Sequence, residues 1–215
     1  MKDTSDVTQV LDHIIRLYKG YSQEHRATTQ PYHLHRLQSA FPRYTYNPDD
    51  TVIREPLIEH VGSLGIVASS VFPYLDDPEV DLGHTLALLA VHDIGELKTG
   101  DVITFTKTDD ESSEEREGAF ALLHPSLHVL YLEAEKNETK SARFAKSIDK
   151  ITPDIIDLIT PPEITMKRYK HFMDKEPGEI VPLIKKFKHP YMLWNTFLKE
   201  LHLEILRRIA LQLQG

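Results

Sequence analysis

Residues 82–96 read Leu82-Gly83-His84-Thr85-Leu86-Ala87-Leu88-Leu89-Ala90-Val91-His92-Asp93-Ile94-Gly95-Glu96, and Gly100-Asp101 follows shortly after. Leu82, Leu86, Leu88, Leu89, Ala90, Ile94 and Leu97 cover most of a helix surface, so the spacing predicts a helix over 82–99 at the centre of a bundle, with Gly100 at its C′ position. His92, Asp93, Glu96 and Asp101 are four ionisable groups on this apolar run and its exit turn. If buried, each requires a hydrogen-bond partner or a cation to offset its lost hydration. A divalent ion meets that requirement. On a helix Glu96 lies beside both His92 and Asp93, at spacings of four and three, while His92 and Asp93 diverge by about 100°. A metal must then sit off the edge between them and take its remaining ligands from elsewhere. His60, at the start of the preceding amphipathic segment, and Asp149, within the run Ala145, Ile148, Ile151, are the candidates. Two imidazoles and two carboxylates suit Mn, Fe, Co, Ni or Zn, with positions left for water and substrate.

The flanking pattern is helical throughout. Val7, Val10, Leu11, Ile14, Leu17, Tyr18 and Tyr21 repeat at three and four, as do Ile58, Val61, Leu64, Ala68, Val71 and Phe72 before Pro73. Ser112 and Glu115 read as a capping box opening a helix, and Pro125 begins another. Residues 139–151 carry one apolar face, and Thr160-Pro161-Pro162 ends that pattern before a more irregular segment. Trp194, Phe197, Leu201, Ile205 and Ile209 form a long closing helix. Only Val102–Thr106 has strand character. The expectation is an all-α, globular helical array forming a single domain over 1–215.

Composition narrows the function. The 215 residues contain 12 histidines and no cysteine, so a metal site must use nitrogen and oxygen ligands, and neither a disulfide framework nor a thiol nucleophile is available. A net charge of -8 argues against a nucleic-acid polymer as partner, though not against a small anion. No apolar run is long enough for a signal peptide or a membrane span, which makes a cytoplasmic location the default. Charge is unevenly divided. Residues 1–160 carry a net of -12 and residues 161–215 a net of +4, from solvated helix faces or from a carboxyl-terminal third that receives an anion or a partner subunit.

The ordered set Glu59-His60, His92-Asp93 with Glu96, Gly100-Asp101 and Lys146-Ser147-Ile148-Asp149 resembles the HD-domain metal-dependent phosphohydrolases, in particular their 5'-deoxynucleotidase branch. Leu130-Tyr131, Glu133, Glu135, Thr139, Phe144 and Lys146 are similar to the stretch before the last aspartate of that branch. The resemblance spans roughly residues 40–160, leaving 161–215 as a helical extension. It implies one divalent ion (Mn, Co, Ni, Zn, Fe or Mg) held by His60, His92, Asp93 and Asp149, with Glu96 and Asp101 as catalytic carboxylates. The implied substrate is a phosphomonoester, a (deoxy)ribonucleoside 5'-monophosphate, attacked by metal-activated water. Arg54, with Arg43 as a second candidate, would bind its phosphate, and relatives that dimerise point to a homodimer. The chain departs from the branch at Arg54-Glu55-Pro56-Leu57-Ile58-Glu59-His60, which is one residue shorter than the usual motif and contains a proline.

Three other readings compete. His92 and Asp93 alone fit a core histidine bonded to a carboxylate, and Asp149 fits an ion pair with Lys146 or Lys150. The altered Arg54 motif fits a non-catalytic nucleotide- or metal-sensing protein. His92-Asp93-x-x-Glu96 is also similar to guanosine tetraphosphate hydrolases, except that Leu97 stands where those place an aspartate. His124 and His128 fall where two-metal relatives place extra histidines, and His84 reads as a packing or surface residue.

Overall fold

A computed structural model of the chain describes residues 4–23, 57–100 and 108–214. The described residues are helical, with no strand among them, in the order α1 (Thr4–Gln23), α2 (Leu57–Val71), α3 (Leu82–Val91), α4 (Glu96–Thr99), α5 (Asp109–Leu122), α6 (His128–Lys136), α7 (Lys140–Ile159), α8 (Pro162–Met173), α9 (Pro177–Lys188) and α10 (Thr196–Gln214). The all-α array expected from the periodicity is the observed fold class. Val102–Thr106, Asp101, Arg43 and Arg54 lie outside the described residues.

The hub is α7 rather than the 82–99 segment. It packs against α1, α2, α3, α6 and α10 and buries Phe144, Ile148, Ile151 and Ile155. Thr139 caps its start by accepting from the Ala142 N–H at 3.1 Å, satisfying one of the donors a helix N-terminus leaves open. The helix runs on through Pro153 to Ile159, well past residue 151. Proline has no N–H, so the Asp149 carbonyl receives no bond from four residues downstream.

The helix expected over 82–99 is two pieces. Asp81 starts α3 by accepting from the His84 N–H at 2.7 Å, and α3 ends at Val91. Beyond it the backbone tightens to three-residue spacing, with Ile94 N–H on Val91 C=O at 3.3 Å and Glu96 N–H on Asp93 C=O at 3.1 Å. The tightened turn lies against α5. A Cβ on Gly95 would stand 2.2 Å from the Glu115 carbonyl oxygen, and one on Gly118 would stand 3.0 Å from the Gly95 carbonyl, so two glycines permit this approach. Leu97 is consequently 65% exposed, whereas Ile94 packs with Val91, Ala119, Leu123 and Tyr131 in a small second core.

Three smaller expectations also change. Ser112 lies inside α5 and donates to the Thr108 carbonyl, and so does not cap that helix. Pro125 opens a short 3₁₀ turn before α6. The segment after Thr160 is not irregular: Pro162 begins α8 and Pro177 begins α9, both at first-turn positions that need no N–H.

These carboxyl-terminal helices account for part of the uneven charge. Asp154 and Asp157 on α7 are almost wholly buried, and their partners come from the extension: Lys188 Nζ and His202 Nε2 lie 2.5 and 3.3 Å from Asp154, while Arg168 and Tyr169 bond to Asp157. Lysines and arginines in 161–215 thus neutralise carboxylates of the acidic part from within the core. No helix among the described residues is long and apolar enough to cross a membrane.

Candidate metal centre

Three helices that pack against one another, α2, α3 and α7, each bring part of the site. His60 lies in the first turn of α2, His92 immediately follows α3, Asp93 opens the tight turn after it, and Asp149 sits midway along α7. One ligating atom from each of the four lies within 4.8 Å of the others. His60 Nε2 stands 3.5 Å from Asp93 Oδ2 and 3.3 Å from Asp149 Oδ1, and His92 Nε2 stands 3.0 and 3.6 Å from the same two oxygens. His92 keeps right-handed helical backbone angles and Asp93 begins the tightened turn, and α2 and α7 pack against this end of α3 to complete the set.

The donor set fits a divalent cation by geometry and by charge. With bonds of about 2.0–2.1 Å in a tetrahedral arrangement, neighbouring ligand atoms lie about 3.3 Å apart, close to the observed separations. The His92 ring nitrogens have distinct roles. Nδ1 faces the Leu89 carbonyl at 2.9 Å and must donate to it, so Nε2 of the neutral ring carries a lone pair. That buried Nε2 makes no aligned hydrogen bond, although two carboxylate oxygens surround it. Lone pairs facing one another require a positive charge between them. The same demand acts on the proton: burial disfavours a charged His92, but Asp149 and Asp93 outweigh it and raise its pKa from 6.5 to about 10. Burial also works against the Asp149 carboxylate, yet Lys150, Lys146 and the two histidines hold its pKa well below the usual range.

The HD domain family matches residues 36–161, more than half of the chain. The chain belongs to the HD domain family. Among solved structures, this HD domain protein is similar to a predicted metal-dependent phosphohydrolase from Magnetospirillum magnetotacticum MS-1, at 27% identity over 72% of this chain and 81% of that one, with a TM-score of 0.51. A comparison with curated proteins finds no match.

The other expected site residues fall differently in this HD domain chain. Glu96 begins α4, half-buried, its N–H bonded to the Asp93 carbonyl, and is thereby tied to the turn that carries Asp93. The catalytic candidate Asp101 and the phosphate-binding candidates Arg54 and Arg43 lie outside the described residues. His124 caps the 3₁₀ turn through Ser126, and His128 stacks on Phe120 with ring centroids 4.2 Å apart. His84 Nε2 lies 2.9 Å from Glu133 Oε2, at 41% side-chain exposure. None of these three belongs to the metal-type cluster. From the sequence alone Lys146 enters as part of the motif that ends at Asp149, and Lys146 and Lys150 as rival partners for that aspartate. In the structure both stand at Asp149 Oδ2, at 3.5 and 3.0 Å, while Oδ1 faces the histidines. Their positions three before and one after Asp149 on an apolar helix were the available signal.

Proposed function

We propose that the protein is a metal-dependent phosphohydrolase that cleaves a small phosphomonoester, of the (deoxy)ribonucleoside 5'-monophosphate class. The observation that carries this reading is the convergence of His60, His92, Asp93 and Asp149 with the His92 Nε2 atom directed at two carboxylates. The similarity to the Magnetospirillum protein, described as a predicted metal-dependent phosphohydrolase, supports the reaction class. The ordered motifs around Glu96 and Lys146-Ser147-Ile148-Asp149 support the nucleotide class.

In this reading the four side chains hold one divalent ion (Mn, Co, Ni, Zn, Fe or Mg). Such an ion, when bound, lowers the pKa of water toward neutrality and offsets charge on phosphoryl oxygens. The Leu89 carbonyl keeps His92 in the Nδ1–H tautomer, and Lys146 and Lys150 keep Asp149 ionised. Glu96 and Asp101 divide the remaining proton work, which is removal from the attacking water and delivery to the leaving 5' oxygen as the P–O bond breaks. Arg54 or Arg43 contacts the phosphate. The extension 161–215 belongs to the same domain as the 40–160 core, as one apolar cluster running from α1 to α10 supports, and the active species is a homodimer.

The test is phosphate release from a panel of ribo- and deoxyribonucleoside 5'-monophosphates and a generic phosphoester, with Mn, Co, Ni or Zn supplied in turn. Release with at least one metal, abolished by Glu96→Gln with the metal content intact, is the expected result. No release under any metal overturns the reading, and metal loss in Glu96→Gln would move that residue among the ligands. Light scattering tests the dimer.

A further inference from the structure

Two cations share one oxygen of Asp149, and they differ in what else they face. Lys150 Nζ is the nearer, at 3.0 Å from Oδ2, with 12% of its side chain exposed. Lys146 Nζ is 3.5 Å from the same oxygen, keeps 29% of its side chain exposed, and also lies in the fields of Glu135, Asp93 and Tyr191. Lys150 alone supplies the close counter-ion that a buried carboxylate requires. Lys146 is the longer and more open contact, and it lies near enough to Asp93 and to Glu135 on α6 to feel their charge.

Charge counting at the site leads to the same residue. Asp93 and Asp149 bring two negative charges, which a divalent ion would cancel, and neutral histidines bring none. The lysines add two positive charges at the edge of the cluster, against one negative charge each from Glu135 and the half-buried Glu96, and of the two lysines Lys146 is not the close partner of Asp149. A phosphomonoester near neutral pH is largely a dianion, and a partly exposed cation at this edge matches the group that the proposed reaction must receive. Lysine is a mobile point charge suited to following a phosphate through turnover.

We propose that Lys146 binds the substrate phosphate directly and gives the site a preference for dianionic phosphomonoesters over monoanionic phosphodiesters. The inference rests on the phosphohydrolase reading and extends it to a residue on α7. Its contact with Asp149 is then the resting position of a side chain that swings a few ångströms to the phosphate. Lys150 stays with Asp149 and preserves the ligand. An Arg at either Arg54 or Arg43 would act from a separate part of the chain and would not replace this contact.

The experiment compares the wild-type protein with Lys146→Met and Lys146→Arg, each loaded in turn with Mn, Co, Ni and Zn. Metal content is measured by elemental analysis, inorganic phosphate binding by calorimetry, and hydrolysis with a nucleoside monophosphate and with bis(p-nitrophenyl) phosphate. The expected result is unchanged metal content and at least tenfold weaker phosphate binding in Lys146→Met. Its kcat/KM should fall by roughly one to two orders of magnitude for the monoester and far less for the diester, with Lys146→Arg recovering much of the loss. Metal loss in Lys146→Met, or phosphate binding equal to wild type, would overturn the inference while wild-type turnover left the phosphohydrolase reading standing. A wild-type protein that binds metal but neither binds phosphate nor hydrolyses any substrate would overturn both.

Discussion

His92 Nδ1 donates to the Leu89 carbonyl across 2.9 Å, so the orientation of the imidazole is set by its own helix. The last turn of α3 leaves carbonyls without partners, and one of them takes up the ring proton. The other nitrogen is then aimed at the space between Asp93 and Asp149. A second residue, Asp93, is delivered to that space by the tight turn, and the two remaining groups arrive from α2 and α7.

A cation between these groups should raise stability as well as permit chemistry. Binding to the folded state at a free concentration one hundred times its Kd contributes about 2.7 kcal/mol, which for a chain of this size corresponds to roughly 5–10 °C in Tm. Thermal unfolding with and without added Mn, Co, Ni or Zn checks this. His60→Ala and Asp149→Asn should remove the increment, and an increment of unchanged size in both variants would place the ion elsewhere.

Gly95→Ala should disturb the turn that carries Asp93. The new methyl group would overlap the Glu115 carbonyl oxygen, a backbone atom that cannot move aside without shifting α5. Overpacking of this kind costs about 1–3 kcal/mol. Urea unfolding gives the stability, and metal affinity measured on the folded variant should also drop. Wild-type values for both would mean that the turn tolerates a side chain.

The Asp154–Lys188 pair links the extension to α7 at full burial. Lys188→Met leaves the Asp154 charge with His202 as its remaining partner among the described residues, and loss of one partner of a buried pair costs about 3–5 kcal/mol. The double variant Asp154→Leu with Lys188→Met should be less destabilised than the sum of the single changes, because no buried charge is stranded. Additive costs in a double-mutant cycle would contradict the coupling.

Stability at acid pH should depend on Glu204. Hydrogen bonds from Arg207 act most strongly, burial opposes them, and a hydrogen bond from Arg208 adds to the lowering, which takes the pKa from 4.5 to about 2. A carboxylate with a depressed folded-state pKa contributes stability above its unfolded value, and that contribution disappears as pH falls toward the folded one. The Tm difference between wild type and Glu204→Gln should therefore be open at pH 7 and close progressively between about pH 4.5 and 2. A difference that stays constant over that interval would show that the arginines do not hold the ionised form.

The helical class of this protein and the identity of its four convergent residues are written locally. Apolar residues at three- and four-residue spacing specify amphipathic helices, and polar groups such as His92, Asp93 and Asp149 on apolar runs stand out because burial without a partner is costly. Tertiary structure decided the rest. Local periodicity continues α3 to residue 99, whereas close packing of Gly95 and Gly118 between α4 and α5 goes with a break of the regular helix after Val91. The pairing of Lys188 with Asp154 and of Arg168 with Asp157 has no short-range signature, since each depends on which faces of distant helices meet. The same holds at the metal centre: His60 and Asp149 are 89 residues apart, and only the mutual packing of α2, α3 and α7 brings Nε2 and Oδ1 to 3.3 Å.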